Sequence, residues 1–104
     1  MTEALEARFE QALLADAEQA RSIGYNPHQF RRMVLEQGGV ELAQKLLRTS
    51  GASYGFEVLR EKGRLDLSME ALVVQTPWKT LFTDEELMTA MERLRAGGYF
   101  PQLD

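Results

Sequence analysis

The chain has 104 residues, no cysteine and a net charge of −4 from 12 basic and 16 acidic side chains. This length suits one domain that buries roughly 65% of its unfolded surface and folds without a metal ion or a disulfide. The lack of cysteine excludes thiolate nucleophiles and thiolate metal sites. The first residues are acidic and no apolar run approaches the ~20 residues that span a bilayer, so we expect a cytoplasmic protein without membrane contact.

Charge is distributed in three blocks along the chain. Residues 1–20 carry one base and five acids, and residues 65–104 carry three bases and seven acids, so each block has a net charge of −4. Residues 21–64 carry eight bases and four acids, which gives a net charge of +4. Either the three blocks neutralise one another when the chain folds, or the central block contacts a partner.

The N-terminal part of the chain predicts a long acidic helix. Apolar residues at steps of three and four predict an amphipathic helix over residues 2–23, and Gly24 ends it. Asn26 is the predicted N-cap of a second helix. Pro27 is its predicted first residue, because proline there lacks only a donor that is unpaired anyway.

Glycines separate the short helices in the middle of the chain. The pair Gly38-Gly39 divides the second helix from a third. After a turn at residues 49–53, residues 54–61 predict a fourth short helix with Tyr54 among the side chains that face the core.

The C-terminal part predicts two further helices. Residues 65–67 predict an extended link to a helix that Ser68 caps. Residues 78–82 predict a single helical turn, and Thr83 with Glu86 three positions later predicts a capping box for the last helix.

Together these elements predict an all-α fold, a compact single-domain bundle of five to seven mostly short helices with a longer N-terminal helix. The predicted domain covers residues 1–104. It consists of an acidic N-terminal helix at residues 1–23, a core at residues 24–98 and a tail at residues 99–104.

Short motifs within the predicted core follow an order that resembles a recurring, functionally uncharacterised bacterial helical domain. The motifs are Gly24-Tyr25-Asn26-Pro27, Phe30, Gly38-Gly39-Val40, Ala43, Leu46-Leu47, Tyr54-Gly55-Phe56, Gly63-Arg64-Leu65-Asp66-Leu67, Glu70-Ala71-Leu72-Val73 and Leu81-Phe82-Thr83. The resemblance covers residues 24 to about 98 and implies a bacterial or phage source, but it lends no activity, cofactor or catalytic residue. It also implies that the acidic first helix is an extension of the domain.

Seven lysines and arginines of the central block, here called the basic belt, are candidate partner-binding residues. They are Arg31, Arg32, Lys45, Arg48, Arg60, Lys62 and Arg64. The two short helices around Gly38-Gly39 loosely resemble a helix-turn-helix. However, the first turns of the third helix carry an acid and aliphatic residues where exposed polar side chains would contact bases.

No catalytic, cofactor or metal site emerges from the polar residues. His28 is the sole histidine, and no serine or carboxylate lies at a spacing that would orient it as a base. Asp84, Glu85 and Glu86 are consecutive on a first helical turn, so they splay about 100° apart and are explained by capping. We therefore expect a protein that is not an enzyme.

Asp66 is predicted to have a structural role, and Trp78 is predicted to bind a partner. Asp66 is predicted to be partly buried and to pair with Arg64 or another arginine. Trp78 is a candidate partner-binding residue, because aromatic side chains near loops often anchor a partner. An apolar patch suited to self-association or to a client protein would join it to the following residues: Tyr99, Phe100, Met88 and Leu103.

The sequence thus favours a non-enzymatic module for protein–protein interaction. Its predicted role is that of a regulator or inhibitor of a nucleic-acid-processing system in a bacterial or phage setting. The alternative is a nucleic-acid-binding accessory domain that uses the basic segment 21–64. Whether the positive side chains lie open or are covered by the acidic helices distinguishes the two.

Overall fold

The computed structural model describes residues 2–102, which form six α-helices and two turns of 3-10 helix, without a β-strand in that range. The α-helices are α1 (Thr2–Ser22), α2 (His28–Gln37), α3 (Gly39–Arg48), α4 (Tyr54–Glu61), α5 (Met69–Val73) and α6 (Asp84–Ala96). The 3-10 turns, Leu65–Leu67 and Trp78–Leu81, lie on either side of α5. The predicted all-α fold with a long N-terminal helix is confirmed.

Helix α1 lies at the centre of the packing. It contacts α2, α3, α5 and both 3-10 turns. Its apolar stripe is buried, and the ring of Phe9 meets the rings of Trp78 and Phe82 edge-on at centroid distances of 5.8 and 5.3 Å. An edge-to-face arrangement of this kind adds to the burial of the rings. The first helix is therefore part of the core, and its interpretation as an extension of a recurring domain stays a prediction.

The Gly38-Gly39 pair permits the close crossing of α3 over α1. A Cβ atom on Gly39 would lie 3.0 Å from the Cα atom of Glu10, so any larger residue would push the helices apart. Gly38 adopts a φ of +94°, which favours glycine. The Gly39 N–H donates to Glu10 Oε1 at 2.9 Å, so a side chain of α1 satisfies a free donor at the start of α3.

The start of α2 differs from the prediction. The helix begins at His28, Pro27 is the residue that flanks it, and no side chain caps it. The ψ angle of +59° at Pro27 is not helical, so Pro27 lies outside the helix and Asn26 is one position too early to cap it. The Pro27 carbonyl still accepts the first helical hydrogen bond, from the Arg31 N–H.

Residues 65–67 form a 3-10 turn and not the predicted extended link. The N–H groups of Leu67 and Ser68 donate to the carbonyls of Arg64 and Leu65, each at 3.0 Å. An extended link without a partner strand would leave these donors unpaired. The turn also buries Leu65 and Leu67 in the core.

The orientation of α4 corrects a further prediction. Tyr54 is 78% exposed, whereas Phe56 and Leu59 face the core. The Tyr25 hydroxyl lies so close to α4 that a Cβ on Gly55 would come within 2.9 Å of it. The first turn of α4 therefore packs against Tyr25, and Tyr54 is directed to solvent.

The predicted caps of the last two α-helices are confirmed. The Ser68 hydroxyl accepts a hydrogen bond from the Ala71 N–H at 3.1 Å. Thr83 and Glu86 exchange the two hydrogen bonds of a capping box, at 3.1 and 2.9 Å. No helix within residues 2–102 has the length and apolar character needed to cross a membrane.

Candidate functional site

Most cations of the basic belt pair with acids of the same chain. Three of the pairs are local and exposed, namely Lys45–Glu41, Arg60–Glu57 and Arg64–Asp66, with nitrogen–oxygen distances of 4.0, 2.8 and 3.0 Å. Exposed pairs of this kind contribute little to stability, but they do reduce the net positive charge presented to solvent.

Two further pairs connect the basic belt to the acidic blocks. Arg31 of α2 lies 4.0 Å from Glu18 of α1, and Arg48 of α3 lies 3.3 Å from Glu86 of α6. The acidic helices therefore contact the central block at α2 and at α3. Arg32 and Lys62 have no ion pair within residues 2–102.

The predicted pair of Arg64 with Asp66 is present, but it is exposed rather than partly buried. Arg64 Nε and Nη2 donate to the two carboxylate oxygens of Asp66 at 3.0 and 3.1 Å. The hydrogen bond from Arg64 lowers the pKa of Asp66, while some burial opposes that shift. Both side chains remain about 40% exposed, so the pair lies at the surface.

Asp66 also affects a second carboxylate, on α1. Burial raises the pKa of Asp16 to about 6, and the negative charge of Asp66 adds to the shift. Two acids from separate elements thus lie close enough to repel each other. Spacing along the chain gives no signal for this pair, because 50 residues separate the two.

Trp78 belongs partly to the core. Its ring meets Phe9 edge-on, and the Arg8 guanidinium carbon lies 5.9 Å from the ring centroid. At that distance a cation–π attraction is expected. Trp78 is half-buried, so only its outer part is available to a partner.

The other members of the predicted apolar patch vary in exposure. Phe100 is 70% exposed and Met88 of α6 is 62% exposed, while Tyr99 is half-buried against the core. Leu103 lies outside the described residues. Self-association through this patch stays a prediction.

A buried ion pair that sequence patterns did not reveal connects α5 to α6. Arg93 Nη1 donates to Glu70 Oε2 at 3.3 Å and to the Leu46 carbonyl at 3.1 Å, and Nη2 donates to the Thr49 carbonyl at 2.8 Å. The side chains of Arg93 and Glu70 are 10% and 3% exposed. Burial raises the pKa of Glu70, and the adjacent guanidinium opposes that rise. Arg93 thereby connects α6 to α5 and to the last carbonyls of α3.

An apolar cavity of about 290 Å³ opens between α1, α2 and α4, and its wall includes the start of α5. Phe30 and Met33 of α2, Phe56 of α4 and Met69 of α5 contribute much of the lining. Glu70 is the one acidic or basic side chain in the lining. The rings of Tyr25 and Tyr54, which also line the cavity, meet edge-on at a centroid distance of 6.4 Å.

The remaining polar candidates are His28 and the acids at the start of α6, and each is either exposed or engaged in helix capping. His28 is exposed at the first position of α2. Glu86 is buried, and its two oxygens accept hydrogen bonds from the Thr83 N–H and from Arg48, while Asp84 and Glu85 are exposed. Among residues 2–102, no three acidic or histidine side chains converge in a way that would hold a metal ion.

The chain was compared with protein-family models, with curated proteins and with solved structures, and none of them matched. The resemblance of residues 24 to 98 to a bacterial helical domain therefore stays a prediction.

Proposed function

We propose that the protein is a non-enzymatic helical module that binds another protein. The observation that carries the proposal is the pairing within the basic belt, where five of seven cations lie within 4.0 Å of acids of the same chain. Nucleic-acid binding draws its free energy from cations that replace the counterions of phosphates. A cation that already has a carboxylate partner must give up that partner first, so its contribution to phosphate binding is reduced.

The unpaired charges of α1 and α6 support a more specific proposal about the partner. Several exposed carboxylates on these two helices have no ion pair within the described chain. They are Glu3, Glu6, Asp84, Glu85 and Glu92. Carboxylates on a surface steer a basic partner to it and add specificity. We accordingly propose a partner with a basic surface, such as a nucleic-acid-processing enzyme whose phosphate-binding groove the acidic helices would occupy as a regulator or inhibitor.

The competing function is a nucleic-acid-binding accessory domain. Arg32 and Lys62 favour it, because both are exposed and neither has an acidic partner within residues 2–102. Two such cations would give a weak, salt-sensitive attraction to phosphate. The two functions therefore differ in which set of charges is needed for binding.

Matched charge variants distinguish the two functions. The first variant replaces Glu3, Glu6, Glu85 and Glu92 by glutamine, and the second replaces Arg32 and Lys62 by glutamine. Each variant and the wild-type chain would be immobilised and exposed to nuclease-treated lysate of the source cells at about 50 mM and about 500 mM salt, since these bracket the range over which surface charges become screened. Captured proteins would be identified by mass spectrometry, purified and titrated individually against all three chains.

The protein-binding proposal predicts a partner that binds the wild-type chain directly, is lost with the carboxylate variant and is retained by the Arg32/Lys62 variant. Loss of all capture after nuclease treatment, together with loss of nucleic-acid binding in the Arg32/Lys62 variant, would support the accessory-domain function instead. Both variants must keep the helical circular-dichroism spectrum of the wild type.

A further inference from the structure

We propose that the cavity between α1, α2 and α4 is a binding site for a small, mainly apolar molecule that carries one hydrogen-bond donor. This site is independent of the charged surfaces discussed above and goes beyond the proposed protein-binding function. The cavity is formed by side chains from five α-helices, the first 3-10 turn and the loops near Pro27 and Ser53. It is therefore a product of the whole fold and not a gap at one helix end.

The chemistry of the lining favours an apolar ligand over water. Aliphatic, aromatic and thioether side chains form most of the wall. Water is held weakly where a wall offers it few polar partners, so an apolar guest displaces it readily from this cavity. Pockets that bind small molecules share this composition, a mainly apolar wall with a few polar groups that fix orientation.

The volume sets the size of the ligand. At about 290 Å³ the cavity has roughly twice the volume of a 150 Å³ apolar cavity that accepts benzene. Fused aromatic rings or a compact aliphatic molecule of about ten heavy atoms would fill it, which is at the small end of the range for ligand pockets.

The buried Glu70 determines which polar group a ligand of the cavity needs. It is 2% exposed and is one of the residues that line the cavity, and its Oε2 accepts one hydrogen bond from Arg93. A carboxylate can accept several hydrogen bonds through its two oxygens. A ligand with one N–H or O–H group could use this spare capacity, whereas an anionic ligand would be repelled by it.

The methionines of the chain provide internal controls for a test. Met33 and Met69 line the cavity, whereas Met88 and Met91 lie on α6 and do not. The protein would be labelled with ¹³C at the methionine methyl groups and titrated with indole, a bicyclic compound with a single N–H. We expect saturable shifts of the Met33 and Met69 signals with a Kd of about 1 mM or tighter, and unchanged Met88 and Met91 signals.

Two substitutions on one helix test the location. Ala17 is buried and lines the cavity, so Ala17→Leu places a larger side chain in it and should weaken indole binding at least about tenfold. Ala15 is exposed on the same helix, and Ala15→Leu should leave binding unchanged. If Ala17→Leu proves unfolded by circular dichroism, Met33→Trp fills the cavity from α2 instead, with Met69 as the remaining reporter.

Several outcomes would overturn the proposal. One is the absence of saturable shifts at Met33 and Met69, and another is unchanged binding in the folded cavity-filling variant. Equal affinity for indole and 1-methylindole would disprove the need for a donor. If a second copy of the chain filled the cavity, the apparent indole affinity would fall as protein concentration rises, and that result too would contradict a small-molecule site.

Discussion

Charged side chains occupy opposite kinds of position in two parts of the molecule. In α3 and α4 the paired cations and most of their acidic partners are exposed, as in Lys45–Glu41 and Arg60–Glu57. In α5 and α6 the carboxylates of Glu70 and Glu86 are buried. Exposed pairs contribute little stability, whereas a buried charge that loses its partner destabilises the fold strongly. Charges of the first part can therefore be changed at little cost in stability, whereas those of the buried Glu70 and Glu86 cannot.

Of the substitutions predicted to lower the stability of the protein, removal of Arg93 should have the largest effect. Arg93→Ala leaves the buried Glu70 carboxylate without its counter-charge and frees two carbonyls of the α3 end. We expect a loss of about 3–5 kcal/mol in the free energy of unfolding, measured by urea denaturation.

The double variant Arg93→Met with Glu70→Met is the control for that prediction. Because it removes both charges and fills their place with apolar side chains, it should recover most of the stability that Arg93→Ala loses. If Arg93→Ala were as stable as the wild type, the buried pair would not hold α6 in place.

The helix caps should have the next largest effects. Ser68→Ala should cost about 2 kcal/mol and Thr83→Ala about 1 kcal/mol, near the range for N-cap removal. Ser68 is the more costly because its buried hydroxyl also donates to the Leu65 carbonyl at 2.6 Å. Thermal unfolding of both variants measures the difference. Equal melting temperatures would show that the second hydrogen bond of Ser68 contributes nothing.

The stability of the protein is expected to depend on pH through Asp16 of α1. Its pKa is raised to about 6 in the folded state, so the folded state binds its proton more tightly than the unfolded state. The contribution to stability is greatest below pH 4 and is lost as pH rises from about 4 to about 6. Above that range Asp16→Asn should stabilise the protein, by on the order of 1 kcal/mol after allowance for solvent screening of a half-buried group.

Chemical denaturation at pH 4 and pH 7.5 measures this effect. The advantage of Asp16→Asn should be confined to the higher pH. Because Asp66 contributes to the shift, Asp66→Asn should reduce the pH dependence of the wild-type chain. A constant difference between Asp16→Asn and wild type at both pH values would contradict the prediction.

The smallest effects are expected at the exposed Arg64–Asp66 pair. Arg64→Ala should lower the melting temperature by less than about 4 °C, as for other surface ion pairs. Asp66→Ala breaks the same pair but also relieves the repulsion of Asp16, so its melting temperature should fall less. A larger fall for Asp66→Ala than for Arg64→Ala would show that the repulsion is negligible.

Local features of the fold could be predicted from the sequence, because neighbouring residues determine them. The hydroxyls of Ser68 and Thr83 accept hydrogen bonds from residues three positions ahead, and the helix break at Gly38 depends on its positive φ angle. The start of α2 lies one residue after the predicted position, because Pro27 has a non-helical ψ angle of +59°.

Features that join distant parts of the chain left no pattern in the sequence. Glu70 and Arg93 are 23 residues apart, and glutamate and arginine are residue types that usually lie at the surface. The cavity draws on side chains of several elements, so periodicity within any single helix cannot reveal it. The basic belt was visible as a block of charge, but its pairing with Glu18 and Glu86 required the folded arrangement.

Binding of the wild-type chain to nucleic acid, measured by fluorescence anisotropy, tests the central claim that the basic belt is neutralised within the molecule. Labelled duplex and single-stranded DNA would be titrated with the protein between about 50 and about 500 mM salt, where phosphate contacts weaken steeply. We predict no measurable binding to either DNA at about 150 mM salt. A Kd in the range of about 1–100 µM at that salt, falling off sharply as salt rises, would contradict the claim.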